Sequence, residues 1–141
     1  MQQTKIPLAY GMITELNQSL VRMLTLTGEP GLVVAKTRRS IKDEVEVYEQ
    51  LRRNLFLKYG TETDGQITVP ADNREDFTRD LMELMNRKTE ITIFQMPEEN
   101  FDIDALYCET AEARDYELFE ALMVEHEDKN GNLEKEQILD K

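Results

Sequence analysis

The sequence predicts a mainly α-helical domain with a small β element, an α+β fold. Over most of the chain, apolar residues recur every three, four or seven positions, the spacing of amphipathic helices. Residues 90–94 instead combine β-branched and aromatic side chains without glycine, as strands do. The 141 residues, 40% of them hydrophobic, suit one domain with its own core. We expect that domain to span residues 1–126 and a polar, frayed tail to follow over 127–141.

The first helix is predicted over residues 7–25. Leucine or methionine occupies every fourth position from Leu8 to Leu24, which gives the helix one apolar face. Pro7 suits the first helical position because its missing N–H needs no partner there. Glycine and proline at residues 28–31 then break the helix.

A second, longer helix is predicted over residues 32–59. Its apolar residues from Val34 to Tyr59 are spaced by 7, 4, 3, 7 and 4 positions. Gly60 follows as a C-terminal cap, and Lys58 in the last turn suits the helix dipole. The short link between the two helices predicts an antiparallel helical hairpin.

The middle of the chain is predicted to hold a third helix and a pair of short strands. Residues 67–69 follow a turn-rich loop that contains an Asp-Gly pair, and we expect them to pair with residues 90–94. Asp72 and Glu75 have the spacing of a capping box, so the third helix is placed over residues 73–86.

The last predicted element is an acidic helix over residues 111–124, with Thr110 as its N-cap. An irregular segment over residues 97–109 precedes it. We expect most members of one apolar set to be buried between these elements. The set is Leu16, Leu20, Leu24, Val34, Ile41, Tyr48, Leu55, Phe77, Leu81, Ile93, Phe94, Phe119 and Leu122.

The negative charge is concentrated in the last third of the chain. The formal net charge is −12, yet residues 1–97 hold 14 acidic and 13 basic side chains, whereas residues 98–141 hold 15 and 4. Nine large apolar residues accompany the acids between residues 101 and 123, which favours a folded surface over a disordered tail. Such an acidic balance argues against direct binding to nucleic acid or to anionic membranes.

The sequence also lacks the motifs of several other classes of protein. No apolar run approaches the length of a membrane span, and the first residues do not resemble a secretory signal. Glycine-rich phosphate loops, dinucleotide fingerprints and zinc motifs are missing, so no cofactor is expected. Two arginine pairs, at residues 38–39 and 52–53, form a candidate phosphate ridge. The glutamates between them favour local ion pairs instead.

Candidate catalytic residues are few. Cys108 lacks an activating context, and we interpret it as a semi-buried structural thiol. His126, the single histidine, lies near the predicted tail and is interpreted as a surface residue. Residues 126–137 resemble a calcium loop but lack its final bidentate carboxylate, and an Asn-Gly turn explains them equally well. An enzyme is therefore not expected.

The acidic last third is the best candidate interaction surface. Residues 111–127 carry six acids over roughly 25 Å of helix, or about one per 4 Å. A single DNA strand has one charge per about 3.4 Å. A solvated helix face is the default interpretation of these acids, and a surface for a basic partner is the alternative. Two of the acids, Glu112 and Asp115, border the apolar arc of the helix. The predicted partner-binding residues are Asp102, Asp104, Glu109, Glu112, Asp115, Glu117 and Glu120.

Four short segments carry a resemblance to a known group of proteins. They are residues 55–60 (LFLKYG), residues 67–70 (ITVP), the helix start with Asn73, Glu75 and Phe77, and residues 90–93 (EITI). Together with the order of helices, residues 5–95 resemble short uncharacterised proteins of tailed bacteriophages, mostly of Gram-positive hosts. The resemblance implies a viral origin and a non-enzymatic role, and it supplies no active-site residues.

These observations predict a phage-encoded protein-interaction factor that acts by binding. Its acidic part would contact a basic surface of a host or phage protein and inhibit a nucleic-acid-binding or defence component in the cytoplasm of the infected bacterium. The alternative is a structural or assembly component of the virion. The sequence leaves open whether the chain forms a homo-oligomer.

Overall fold

The structure, a computed structural model, describes residues 1–126. Within that range the helices are α1 (Tyr10–Arg22), α2 (Gly28–Tyr59), α3 (Arg74–Asn86) and α4 (Ala113–Met123). The strands are β1 (Gln2–Ala9), β2 (Thr61–Thr63), β3 (Gln66–Thr68) and β4 (Lys88–Gln95), and short 3₁₀ turns occupy Ala71–Asn73, Glu98–Asn100 and Ile103–Leu106. The predicted mainly α fold with a small β element is confirmed. The predicted tail, and nearly all of the calcium-loop-like stretch, lie outside the described residues.

The chain begins with a strand, so the helix predicted from residue 7 starts too early. β1 pairs antiparallel with β4 along its whole length. Ile6 and Leu8 are buried, while Lys5 and Pro7, which alternate with them, are exposed. This alternation is a strand signal, but Leu8 also fits the four-residue repeat of α1. Among the described strands only β4 adjoins β1, so Pro7 sits on an edge strand, where its missing N–H is tolerated.

The predicted pairing of residues 67–69 with residues 90–94 is wrong. β3 pairs instead with β2, and the two strands are joined by Asp64 and Gly65. Both of these residues have positive φ angles, 52° and 80°. A two-residue hairpin turn needs that conformation, and Asp-Gly is one of its preferred sequences. The Asp-Gly pair is therefore the sequence signal for this hairpin.

The predicted antiparallel pairing of the first two helices is confirmed by their contacts. At the start of α1, the Tyr10 ring stacks on Tyr48 of α2 at 5.9 Å, and its hydroxyl donates to Glu44. Beyond the other end of α1, Leu24 shares a groove with Ala35, near the start of α2. α2 begins four residues before its predicted start because its proline falls in the first turn, where proline is tolerated.

α2 also protects the outer edge of β4. The Phe94 N–H donates to the Thr37 hydroxyl at 2.9 Å, and the Ser40 hydroxyl donates to the carbonyl of Thr92. An open strand edge carries backbone groups without hydrogen-bond partners, and the Thr37 and Ser40 side chains each supply a partner to one of these groups. The strand pair, α1, α4 and the first part of α2 therefore enclose one core.

Most of the predicted core is buried, and the exceptions have clear causes. The buried members are Leu16, Leu20, Val34, Ile41, Tyr48, Ile93, Phe119 and Leu122. Leu24 is 46% exposed because α1 ends at Arg22 and the chain turns before it. The remaining predicted core residues are half-buried, and they are Leu55, Phe77, Leu81 and Phe94.

The molecule divides into two regions that differ in burial. Residues 49–87 hold the end of α2, the β2–β3 hairpin and α3, and we call them the arm. Residues 1–48 and 88–126 form the base. No arm residue is fully buried. α3 is held to α2 mainly by Phe77, whose ring lies 4.9 Å from that of Phe56. The capping box predicted for α3 does not form: the N-cap is Asn73, whose side chain does not cap the helix and instead donates to the carbonyl of Tyr59 at 3.0 Å.

Candidate acidic interface

The seven carboxylates predicted to bind a partner do not form one surface. Asp104, Glu117 and Glu120 line the same groove, between α4 and the loop that precedes it. Three others are exposed outside that lining, and they are Asp102, Glu109 and Glu112. The seventh, Asp115, is fully buried.

Asp115 is an internal structural group, so its predicted partner-binding role is wrong. Its carboxylate accepts hydrogen bonds from two nitrogens of Arg22, both at 2.7 Å, and from the Ser19 hydroxyl at 2.6 Å. The Arg22 guanidinium holds the pKa of Asp115 well below its usual range, against the opposing effect of burial. The cluster joins the start of α4 to the end of α1.

The start of α4 is capped differently from the prediction. The N-cap is Glu112, whose N–H donates to the Asp115 carboxylate at 2.9 Å, as in a capping box. Thr110, the predicted N-cap, donates instead to the carbonyl of Arg22. Two sequence signals pointed to the role of Asp115. One is its spacing from Glu112, and the other is its position beside the apolar arc.

One wall of the groove is the loop before α4, and aromatic contacts fix it in place. The Phe101 ring stacks on Phe119 at 6.4 Å. The Tyr116 hydroxyl accepts from the N–H of Cys108 at 3.0 Å and donates to its carbonyl at 3.3 Å. Leu106 and Cys108 are buried. The loop is therefore anchored at both ends before any partner arrives.

The groove combines exposed apolar side chains with unpaired carboxylates. It encloses about 470 Å³. Ile103 and Tyr107 line its wall and are 58% and 80% exposed. Both belong to the nine large apolar residues that led us to expect a folded surface in this part of the chain. Within residues 1–126, the carboxylates of Asp104, Glu117 and Glu120 have no ion-pair partner within 4.0 Å. We call these five residues the acidic groove.

The two residues considered for catalysis make structural contacts. The Cys108 thiol is buried, lies 3.0 Å from the Thr25 hydroxyl and donates to the carbonyl of Arg22 at 3.1 Å. His126 Nε2 lies 2.9 Å from the carbonyl oxygen of Glu120. In the described part of the chain, no three His, Cys, Asp or Glu side chains are grouped so that they could hold a metal ion.

The first arginine pair lines a separate groove between α1 and α2. Arg38, Arg39 and Lys42 contribute to it, and none of them has an ion-pair partner in the described region. The local ion pairs expected from the sequence are therefore not formed. Glu46 and Glu49 line the same groove further along α2, so its charge is mixed and it does not form a continuous phosphate ridge.

Comparison with known proteins gives no match, either to a family model or to a curated protein or solved structure. None of the helices within residues 1–126 is long and apolar enough to cross a membrane. Function is therefore inferred from the geometry and charge of the acidic groove.

Proposed function

We propose that the protein is a non-enzymatic interaction factor whose acidic groove binds a basic surface on a partner protein. One observation carries the proposal. A rigid loop presents Tyr107, 80% exposed, beside three carboxylates that lack ion-pair partners in the described structure. An exposed aromatic residue within a charged rim has the composition of a protein-binding hot spot.

The apolar and the acidic side chains of the groove would contribute to partner binding in different ways. Tyr107 and Ile103 provide apolar contact area, and the fixed loop lowers the entropy lost when they are buried against a partner. The carboxylates of Asp104, Glu117 and Glu120 attract a positively charged surface, which mainly raises the association rate and weakens with salt. The partner should therefore present arginine or lysine around a recess that accepts an aromatic ring.

A nucleic-acid-binding site is a surface of that kind, because clustered lysine and arginine form its electrostatic footprint. We therefore propose that the partner is a host protein with such a site, and that occupying the site inhibits it. A phage origin is part of the same proposal. It rests on the resemblance over residues 5–95 and is independent of the groove.

The proposal is tested by affinity purification from a Gram-positive bacterial lysate, with proteins identified by mass spectrometry. We expect the wild-type protein to retain a basic protein at low salt and to release it at high salt. Tyr107→Ala should weaken retention by roughly 30-fold, the effect of losing a hot-spot residue. The double variant Glu117→Lys/Glu120→Lys should abolish retention.

The matched control is Glu62→Lys/Asp72→Lys, which changes the net charge equally but alters exposed acids of the arm. It should retain the partner as the wild type does. If the control loses the partner as completely as the groove variant, net charge and not the groove determines binding. If both charge variants and Tyr107→Ala still retain it, the acidic groove is not the binding site.

A further inference from the structure

The arm presents a partly exposed apolar face. α2 and α3 lie next to each other there and leave a groove of about 280 Å³ between them. Leu51 and Leu55 of α2 and Leu84 of α3 line it. Leu51 is 37% exposed and the other two are half-buried.

The residues that line this groove follow helical spacing on both helices. On α2 they are residues 51, 54, 55 and 58, and on α3 they are residues 80, 83, 84 and 87. Residues spaced by three, four and seven positions lie on one face of a helix. In a helical bundle such a face forms a seam, where its apolar side chains pack against the facing helices. Within the arm that seam has two helices. Leu84 also packs partly against the core of the base, whereas Leu51 and Leu55 leave part of their surface to solvent.

The charges around the groove are balanced. Lys58 and Arg87 are basic, Asp80 and Glu83 are acidic, and Lys58 lies 4.0 Å from Asp80. The net charge of −12 is carried almost entirely by residues 98–141, so two copies of this chain would repel each other most strongly where those residues meet. The arm groove contains none of those residues, and its own charges cancel.

The order of charges along α3 also suits a two-fold axis. Glu83 and Arg87 lie one turn apart and flank Leu84 in the groove lining. Two α3 helices that cross antiparallel with the two-fold axis at the level of residue 85 would place Glu83 of each copy opposite Arg87 of the other. A two-fold interface requires self-complementarity of this kind. A partner whose surface carries charge of only one sign would attract one of these two residues and repel the other.

We propose that the arm groove binds the arm groove of a second copy, so that two α2–α3 pairs form a four-helix bundle about a two-fold axis. The interface would bury the leucines that the single chain leaves half-exposed. It would also supply the arm with a core that it lacks alone. This proposal is independent of the acidic groove, which lies on the base.

The test is sedimentation velocity over a concentration series, with circular dichroism to check folding. We expect the wild-type chain to form dimers. Leu51→Glu, which places a charge in the seam, should raise the dimer dissociation constant on the order of 100-fold. Leu57→Glu is the matched control on the same helix, because Leu57 is 68% exposed and does not line the groove. It should leave the constant unchanged.

Charge exchange tests the two-fold arrangement without disturbing the leucines. Glu83→Arg and Arg87→Glu should each raise the dissociation constant about tenfold, since every altered contact occurs twice. The double variant Glu83→Arg/Arg87→Glu restores complementarity and should restore dimerisation. A wild-type chain that stays monomeric at all concentrations overturns the proposal. A dimer that tolerates Leu51→Glu also overturns it, as does a double variant that fails to recover.

Discussion

The base and the arm have similar helices but are stabilised in different ways. Every fully buried apolar side chain of the described chain belongs to the base, and none belongs to the arm. The base adds polar links between distant segments, such as Arg22 with Asp115 and Thr37 with Phe94. The arm combines ring contacts at its α2–α3 junction with polar links between neighbouring elements, such as the Tyr59 hydroxyl with Asp80. The same helical periodicity therefore produces a closed core in one region and an open seam in the other.

The largest expected effect comes from the buried carboxylate of the base. Asp115→Asn removes the charge that neutralises Arg22 and should lower the free energy of unfolding by about 3 kcal/mol, the lower end for a broken buried ion pair. The lower end applies because the Arg22 side chain is 23% exposed. Urea unfolding measures the change. Asp102→Asn, at an exposed acid, should change the stability by less than about 0.5 kcal/mol. Equal losses in the two variants would show that Asp115 does not link α4 to α1.

The same carboxylate predicts how stability depends on pH. The pKa of Asp115 is depressed in the folded state, so its stabilising contribution is complete above the ordinary aspartate pKa, about 4. The contribution falls by about 1.4 kcal/mol per pH unit below that value, as the unfolded chain takes up a proton that the folded chain resists. Unfolding of the wild type and Asp115→Asn should therefore differ at pH 7 and converge as pH falls towards 2. A constant difference over that range would contradict the assignment.

A smaller effect is expected where α2 covers the strand edge. Thr37→Val keeps the shape of a fully buried side chain but leaves the Phe94 N–H without its acceptor. The cost should be about 2 kcal/mol, that of an unsatisfied buried backbone donor. Ser40→Ala, at an exposed position on the same edge, should cost about 0.5 kcal/mol. Chemical denaturation of both variants checks the ranking, and a reversed order would show that α2 does not protect β4.

The smallest effect should be confined to the arm. At Gly60 an added Cβ would lie 2.4 Å from the Phe56 carbonyl oxygen and 2.5 Å from a methyl of Ile67, so Gly60→Ala must displace the hairpin. We expect a cost of about 1 kcal/mol. Hydrogen exchange should accelerate in α3 and the hairpin, with base amides unchanged. Gly11→Ala, whose Cβ would meet its nearest neighbour at 3.5 Å, is the control and should change neither region. Equal acceleration in the base after Gly60→Ala would mean that the two regions unfold as one.

Helical periodicity predicted α2 and α3 and the residues at which both end, because their spacing is uninterrupted, but it placed the start of α2 four residues too late. It misplaced the start of α1, because Leu8 fits a four-residue repeat and a strand alternation equally well. It also could not choose the partner of β4, because the paired residues are 79 to 93 positions apart in the sequence. Local patterns do not encode which distant segments meet.

The sequence also predicted only part of the acidic site. The sequence located the charge and the helix that carries much of it. The position of Asp115 beside the apolar arc distinguished it from Glu117 and Glu120, but the sequence could not identify its partner, which is an arginine 93 residues earlier. Tyr107 and Ile103 lie in an irregular segment without periodicity, so their exposure could not be read from spacing. Their position on the groove wall follows from the packing of Phe101 and Leu106 beside them.

The most direct test of the acidic groove is site-specific photocrosslinking. A photoreactive phenylalanine analogue is placed at Tyr107, or at Leu57 of the arm as the exposed control, and the protein is irradiated in host cells. We predict that position 107 crosslinks a single host protein at its lysine- and arginine-rich surface, and that position 57 does not crosslink that protein. A crosslinking pattern at position 107 identical to that at position 57 would contradict the proposal that the acidic groove binds a partner.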